Sequence, residues 1–425
     1  MIQRPKPYVL DAWLAYLEQL HPKTIELGLD RVRAVQEKCD LFPAFPVITV
    51  GGTNGKGSTC AMLEAMLLAA GYRAGCYTSP HLIRYNERVR INGRMVDDAA
   101  LCEGFAAVEA ARGEVALTYF EFGTLAAVWL FAQAQLDVVI LEVGLGGRLD
   151  AVNVFEPDAA VVTTVDLDHM DYLGNTREQI GFEKAGIFRA QKPAICADPN
   201  PPQSLLQHAA GMGAQLLRIE RDFGVTRAPE SWTYWGPSGP RAALPYPTMR
   251  GAHQLANAAA AIASVDSLRE RLPLSQAHLR AGLLSARLPG RFQVLPGKPT
   301  VILDVAHNPQ AARILAQNLR AQYVSGKTYA VFGMLRDKDI AAVIAALKDC
   351  IDIWCVGGLA GPRGASGELV AQALNHAGIA AAHISPNIVL AYAFACRQAG
   401  EDDRICVFGS FYTVAEALIA RGAKA

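Results

Sequence analysis

Short apolar runs bounded by turn residues alternate along the chain with longer stretches whose apolar positions recur every three or four residues. The runs Val47–Val50, Ala74–Tyr77, Val138–Glu142, Ala160–Val165 and Ala194–Ala197 predict strands, as do Val301–Val305, Ala330–Phe332, Ile353–Val356 and Ile405–Phe408 further on. Helical periodicity marks Thr124–Ala134, Thr176–Arg189, Gln310–Gln322 and Lys338–Leu347. The strands are continuously apolar, so both of their faces need cover. That predicts mostly parallel sheets with helices on either side. Arg88–Val96 differs, because Asn92-Gly93 between short strands reads as a hairpin. Pro199–Pro247 is richer in Pro, Gly and Trp, with β-like pieces around Trp232–Trp235, and reads as an insertion at a sheet edge. A break at Leu288-Pro289-Gly290-Arg291 precedes a fresh βαβ pattern. The expected architecture is α/β with two domains, residues 1–288 and a smaller, Rossmann-like 289–425.

A length of 425 residues exceeds the usual single core, which agrees with two domains. Lys and Arg number 40, as do Asp and Glu, so no basic excess points to nucleic acid or an anionic membrane. The longest apolar stretch, Leu125–Leu136, is too short to span a bilayer and contains Gln133 and Gln135. The first residues lack the charged and apolar regions of a secretory signal, so a cytoplasmic protein is expected. The nine cysteines are scattered, with no C-x-x-C pair, which fits a reducing compartment and offers no zinc pattern.

The chemistry begins at Val50-Gly51-Gly52-Thr53-Asn54-Gly55-Lys56-Gly57-Ser58-Thr59, between an apolar run and a helical one (Cys60–Leu68). Glycines let backbone N–H groups close round an anion, and the helix N-terminus adds partial positive charge. Lysine reaches the terminal phosphates, and a hydroxyl can hold Mg²⁺. A nucleoside triphosphate is therefore the leading ligand. The spacing departs from G-x-x-x-x-G-K-[ST], because Gly57 separates Lys56 from Ser58. The bland alternative is a glycine-rich turn without a ligand.

Glu142 ends an apolar run that breaks into Val143-Gly144-Leu145-Gly146-Gly147-Arg148, where a carboxylate can hold Mg²⁺ beside such a loop. Asp166-Leu167-Asp168-His169 follows another run, and parallel sheets place ligands at strand C-termini. Thr78-Ser79-Pro80-His81 also ends a strand; Ser79 could offer an oxygen, and a plain Ser-Pro turn fits equally well. Nothing local distinguishes Lys184 from a solvated helix lysine. Asp304 and His307 stand at a strand C-terminus before Asn308-Pro309, which also reads as an ordinary helix start.

Taken together these runs resemble the Mur ligase superfamily, and more closely its folate branch, the bifunctional dihydrofolate synthase/folylpolyglutamate synthases of bacteria. The matching motifs are Gly52–Ser58, Thr78–Leu82, Glu142–Asp150, Asp168-His169, Glu183–Ile187, His253-Gln254 with Asn257, Pro289–Arg291 and Asp304–Pro309. The resemblance implies that Thr53, Asn54, Gly55, Lys56, Gly57 and Ser58 hold ATP, joined by Asn257, Arg291 and Asp304. It implies Ser58, Ser79, Glu142 and His169 as ligands for Mg²⁺, with two ions expected. Lys184 matches a lysine that is carbamylated in this superfamily, and catalytic roles fall to Lys56, Lys184 and His307. Pterin contacts would fall at Thr24, Ile25, Glu26 and Leu27, at Thr118, Tyr119, Phe120 and Glu121, and at Leu149, Asp150 and Ala151. The stretch Leu117–Thr124 is similar to the form in enzymes that accept dihydropteroate.

The implied reaction is ATP-driven amide formation. A carboxylate of 7,8-dihydropteroate or of a reduced folate becomes an acyl phosphate, which the amine of L-glutamate attacks. The resemblance also implies a monomer. Folylpolyglutamate synthesis alone is one alternative. Another is a Mur-type ligase acting on a UDP-linked peptidoglycan precursor, against which stand Leu117–Thr124 and a glycine loop that begins at residue 51. A nucleotide-dependent regulatory switch would need a guanine-reading N-K-x-D motif, and the chain has none.

Overall fold

The computed structural model describes residues 9–23 and 25–423. It divides into two compact units. The first comprises Met1–His81, Tyr85–Thr248 and Leu255–Arg287; the second comprises Leu82–Arg84, Met249–Gln254 and Leu288–Ala425.

The main sheet of the first unit contains β1 (Val47–Gly51), β2 (Ala74–Tyr77), β3 (Val89–Ile91), β4 (Arg94–Met95), β5 (Val138–Glu142), β6 (Ala159–Val162), β7 (Pro193–Cys196) and β8 (Gln215–Arg218). Their order is β4-β3-β2-β5-β1-β6-β7-β8. The strands from β2 to β8 pair in parallel, and β3 and β4 add an antiparallel hairpin at one edge. Asn92 and Gly93 both take positive φ between β3 and β4, the geometry that closes a tight hairpin. β1, β2, β5 and β6 are buried along their whole length, which explains why their sequences do not alternate.

Two boundaries differ from expectation at places that shape the site. β6 stops at Val162; Thr163 N still donates to Gly51 O at 2.9 Å, but the Thr163 hydroxyl and the Thr164 carbonyl turn to the glycine loop. The helix expected from Thr124 begins at Tyr119, since Thr118 and Glu121 form a reciprocal capping box there. Helices Leu10–Leu20 and Asp30–Lys38, ahead of the first strand, are not among the expected elements. The Pro199–Pro247 segment divides in two. β8 extends the main sheet beside β7, while β9 (Gly224–Arg227), β10 (Trp232–Trp235) and β11 (Arg241–Leu244) form a separate antiparallel sheet.

The second unit has a six-stranded sheet of β12 (Gln293–Leu295), β13 (Thr300–Leu303), β14 (Thr328–Phe332), β15 (Ile353–Gly357), β16 (His383–Ser385) and β17 (Arg404–Phe408), in the order β12-β13-β17-β14-β15-β16. Only β12 pairs antiparallel. Ile302, Phe332, Trp354 and Phe408 build the core on one face; Val301, Val331, Cys355 and Val407 build it on the other. Period-two alternation is thus present, but both sets are apolar.

One buried cation ties this sheet to the helix that follows β13. Arg404, 5% exposed, donates to Thr328 Oγ1 at 2.9 and 3.2 Å. It also donates to the carbonyls of Leu319 and Gln322, each at 3.0 Å, where helix Pro309–Ala321 ends. Those carbonyls are among the acceptors that a helix leaves without intrahelical partners. Arg404→Met is expected to lower the unfolding free energy by about 2–4 kcal/mol, read as a shift in the urea midpoint.

Candidate active site

The C-terminal ends of β1, β2, β5 and β6 lie along one edge of the first sheet, and the candidate residues stand there. Gly51 closes β1, and helix Lys56–Ala69 opens directly after Gly55. Gly52 and Gly55 have φ of 139° and 91°. A Cβ on Gly52 would overlap Thr163 Oγ1, and one on Gly55 would come within 2.5 Å of Asn257 Oδ1. The two glycines therefore let the loop lie against its neighbours, and they place Asn257 beside it. Lys56 Nζ donates to the carbonyls of Gly52 (3.0 Å) and Thr53 (3.3 Å), which folds the ammonium over its own loop.

The segment after β6 grips this loop. Thr53 N donates to Thr164 O at 2.7 Å, and Asn54 N to Thr164 Oγ1 at 3.1 Å. Thr163 Oγ1 donates to Asn54 O at 2.6 Å, and Thr53 Oγ1 bridges the backbone O and N of Asp166. His169 follows in a left-handed conformation, at the start of helix Met170–Leu173. Beside β1, Glu142 pairs in register with Val50 and is buried. Its Oε2 accepts from Ser79 N at 3.0 Å. Glu142 and Ser79 thus meet, through the Ser79 amide. Ser58 is buried in the first turn of the loop helix. Hydroxyl and carboxylate oxygens are hard donors that suit Mg²⁺, which takes few protein ligands and relies on phosphate and water for the rest.

Lys184 corrects the reading of a solvated lysine. It is 3% exposed. Burial and the Lys56 charge pull its pKa down to about 7, against the opposing pull of Asp168 and Asp150. The glycine loop after β5 packs on the helix end that carries Lys184. A Cβ on Gly147 would come within 2.8 Å of Glu183 O and 3.1 Å of Lys184 O, so only glycine lets that loop lie on the helix end. Asp150 is buried in the same region, and burial raises its carboxyl pKa to about 7. It does so although Asp150 accepts from Leu145 N (2.8 Å) and Val152 N (3.1 Å).

Three segments expected at the pterin are brought together in part. Gly28 N donates to Leu149 O at 3.2 Å, which joins the Ile25–Leu27 coil to Leu149–Ala151. Thr118 and Glu121 cap helix Tyr119–Gln133, and the Phe120 ring lies against Gly144, where a Cβ would come within 2.5 Å of Cζ. Glu26 faces Lys23, Arg31 and His21 Nε2 (3.1 Å). Thr24 lies outside the described residues. Sequence reasoning passed over Arg88, whose guanidinium lies 5.2 Å from the Tyr85 ring centre and 5.6 Å from that of Tyr119. Arg88 Nε also donates to His81 Nδ1 at 2.9 Å. Burial, with Arg88, pushes the His81 pKa down to about 4. Both residues belong to the turn after β2, but only the fold brings Tyr119 to them.

In the second unit, Asp304 directly follows β13 and spends both oxygens on backbone amides, Phe292 N (2.9 Å) and Ala306 N (2.8 Å). Burial raises its pKa. Arg291 lies 5.1 Å from the ring centre of Phe411, which in turn stands 6.2 Å from the His307 ring. His307 Nδ1 is 2.8 Å from Val305 O; a carbonyl only accepts, so Nδ1 carries a proton. His253, held near pKa 4 by burial and by Arg291, belongs to the same group. The Asn308 side chain accepts from Ala311 N at 2.9 Å, so the helix-start reading of Asn308-Pro309 also holds.

The model of the Mur ligase middle domain matches residues 50–265, and that of the Mur ligase glutamate ligase domain matches 290–411. The dihydrofolate synthase/folylpolyglutamate synthase of Escherichia coli (strain K12) is 48% identical over 412 residues, 96% of this chain and 94% of that protein. The structure of E. coli FolC in complex with DHPP and ADP superposes with a TM-score of 0.92 at 47% identity, covering 100% of both chains. A bifunctional folylpolyglutamate synthase/dihydrofolate synthase solved with Mn, AMPPNP and L-glutamate gives 0.92 at 49% identity, covering 99% of this chain and 100% of that one. The chain belongs to the Mur ligase family, within its dihydrofolate synthase/folylpolyglutamate synthase branch.

Proposed function

We infer that this protein is an ATP-dependent ligase that joins L-glutamate to 7,8-dihydropteroate and to reduced folates. The observation that carries the reading is Lys184, a lysine buried beside the glycine loop and held near neutrality. A nucleotide switch has no use for such a group. A ligase of this family does, because a neutral amine can take up carbon dioxide. The ammonium first gives up a proton; the neutral nitrogen then bonds to the carbon and a second proton leaves, so a cation becomes a carbamate anion. The E. coli relative named above supplies the substrate class.

In this reading Thr53 to Ser58 and Asn257 cradle ATP, with Arg291 and Asp304 assigned to the nucleotide from the second unit. Lys56 exchanges the Gly52 and Thr53 carbonyls for the γ-phosphate, and so offsets charge as the phosphoryl group moves to the acceptor carboxylate. Mg²⁺, when bound, neutralises the crowded phosphate oxygens; Ser58, Ser79, Glu142 and His169 would hold it, and the carbamate of Lys184 suits a second ion. The acceptor lies against Ile25–Leu27, Thr118–Glu121 and Leu149–Ala151. His307 is assigned to the incoming glutamate or to the acyl-phosphate step. The glutamate amine then attacks the acyl carbon and phosphate leaves. A monomer in the cytoplasm completes the proposal.

Phosphate release that depends on glutamate, measured with dihydropteroate, tetrahydrofolate and a UDP-muramoyl acceptor, separates the readings. Turnover with both of the first two is expected. Release with tetrahydrofolate alone would leave folylpolyglutamate synthesis only, and release with the third alone would overturn the proposal. Lys56→Ala is expected to reduce turnover by three or more orders of magnitude while circular dichroism stays intact; near-normal turnover would remove Lys56 from the phosphate site (~10³-fold).

Lys184 makes a prediction with a definite sign. Below about pH 7 its amine is charged in both folded and unfolded chains, and the penalty of burial is fully present. Between about 7 and the ordinary lysine value, the unfolded chain holds a proton that the folded chain has lost. Stability therefore rises with pH across that window. Lys184→Met is expected to be more stable than the unmodified protein near pH 6.5, by about 2–4 kcal/mol, and to lose that advantage towards pH 10. Urea unfolding in carbon-dioxide-free buffer checks this, and a difference independent of pH would count against a buried neutral lysine. Lys184→Ala should be inactive and recover part of its turnover with added short-chain carboxylates.

A further inference from the structure

Arg31 stands outside every motif noted in the sequence. It lies in the first turn of helix Asp30–Lys38 and reaches two of the segments assigned to the acceptor. Its Nη2 donates to Glu26 O at 2.9 Å and to Glu121 Oε1 at 2.8 Å, and its Nε to Glu121 Oε2 at 3.4 Å. Glu121 is 3% exposed, and its Oε2 also accepts from Thr118 N at 2.7 Å. One carboxylate therefore both caps helix Tyr119–Gln133 and receives the guanidinium. The coil 25–28 has no regular structure of its own. Among the described residues its backbone is tied at two points, Glu26 O to Arg31 and Gly28 N to Leu149 O.

We propose that Arg31 is a positioning residue for the pterin-bearing acceptor. It fixes the spacing between the Ile25–Leu27 coil and the start of helix Tyr119–Gln133 before substrate arrives. The inference rests on the functional reading above, which places the acceptor between those segments. A coil held in its binding conformation spares the complex the cost of ordering it, and that saving appears as acceptor affinity. Guanidinium geometry matters here, because a planar fork can serve a carbonyl and a carboxylate at once, whereas an ammonium presents a single point. The clamp touches neither the glycine loop nor Lys184, so nucleotide binding should not sense it.

The test compares Arg31→Ala and Arg31→Lys with Arg241→Ala. The last removes a comparably buried ion pair, Arg241 with Asp266 at 3.0 Å, which lies far along the chain from the acceptor segments. Dihydropteroate binding is titrated directly, and KM is measured for dihydropteroate, tetrahydrofolate, ATP and glutamate, all well below each variant's melting temperature. Arg31→Ala is expected to weaken dihydropteroate binding and raise both acceptor KM values about 10- to 100-fold. ATP and glutamate KM should stay within about twofold of the unmodified protein, and kcat within about threefold. Arg31→Lys should recover only part of the loss, and Arg241→Ala should leave acceptor affinity unchanged. Unchanged acceptor affinity in Arg31→Ala overturns the proposal, as does a joint rise of acceptor and ATP KM or an equal loss in Arg241→Ala. If the unmodified protein binds dihydropteroate but does not turn over, the functional reading fails while the titration still decides the clamp. If it binds neither acceptor, both fail.

Discussion

The grip of Thr163 and Thr164 on the glycine loop is the contact on which the first unit's site depends. A glycine loop between a strand and a helix has no regular ladder to take up its backbone groups, and such groups need partners wherever they leave water. Something else must hold the loop. Here the turn after β6 does so, through the Thr164 carbonyl, both threonine hydroxyls and the backbone of Asp166. The grip in turn requires Gly52, whose missing Cβ leaves room for Thr163. It also sets where β6 ends and so where Asp168 and His169 begin. The glycine loop and the turn that carries Asp168 and His169 are thereby built as one piece.

The parallel sheet makes that piece possible. Parallel strands end on the same side, so Gly51, Glu142 and Thr163 are near neighbours without further design. The second unit repeats the logic. Asp304, directly after β13, is half-buried and accepts two backbone amides; Asp150, buried, does the same in the first unit. Each carboxylate shapes a turn at a site's rim while its pKa is raised by burial.

Much of this was legible in the sequence for a physical reason. A strand end carrying glycine, Glu, His or Asp is a local pattern, and parallel topology gives that pattern its meaning. Lys184 was not legible from periodicity, because a helix pattern cannot say which of its polar positions the rest of the fold will bury. Family resemblance singled it out where local reading did not. Arg31 was invisible to both. Its partner Glu121 is 90 residues away, and the stretch around Glu121 carries no sign of which cation will meet it. Glu26 was read as a substrate contact, but its carboxylate also faces Lys23, His21 and Arg31. The helix boundary at Tyr119 was missed because a capping box, not hydrophobic period, sets it.

The charges around Lys184 set the terms on which a carbamate and a divalent ion would form there. With its amine neutral, Lys56 has no second cation beside it, and Asp150 can remain partly protonated. Carbamylation would place an anion near Asp168 and Asp150, in a buried region where like charges repel strongly. That state is favourable only if positive charge arrives to balance it, from Lys56 or from a divalent ion. Such an ion would in turn be held more firmly by the carbamate than by a protonated lysine, which repels it. On the proposed reading, modification and metal binding would therefore reinforce each other. The burial that makes Lys184 costly as an ammonium is what would free its amine for that modification.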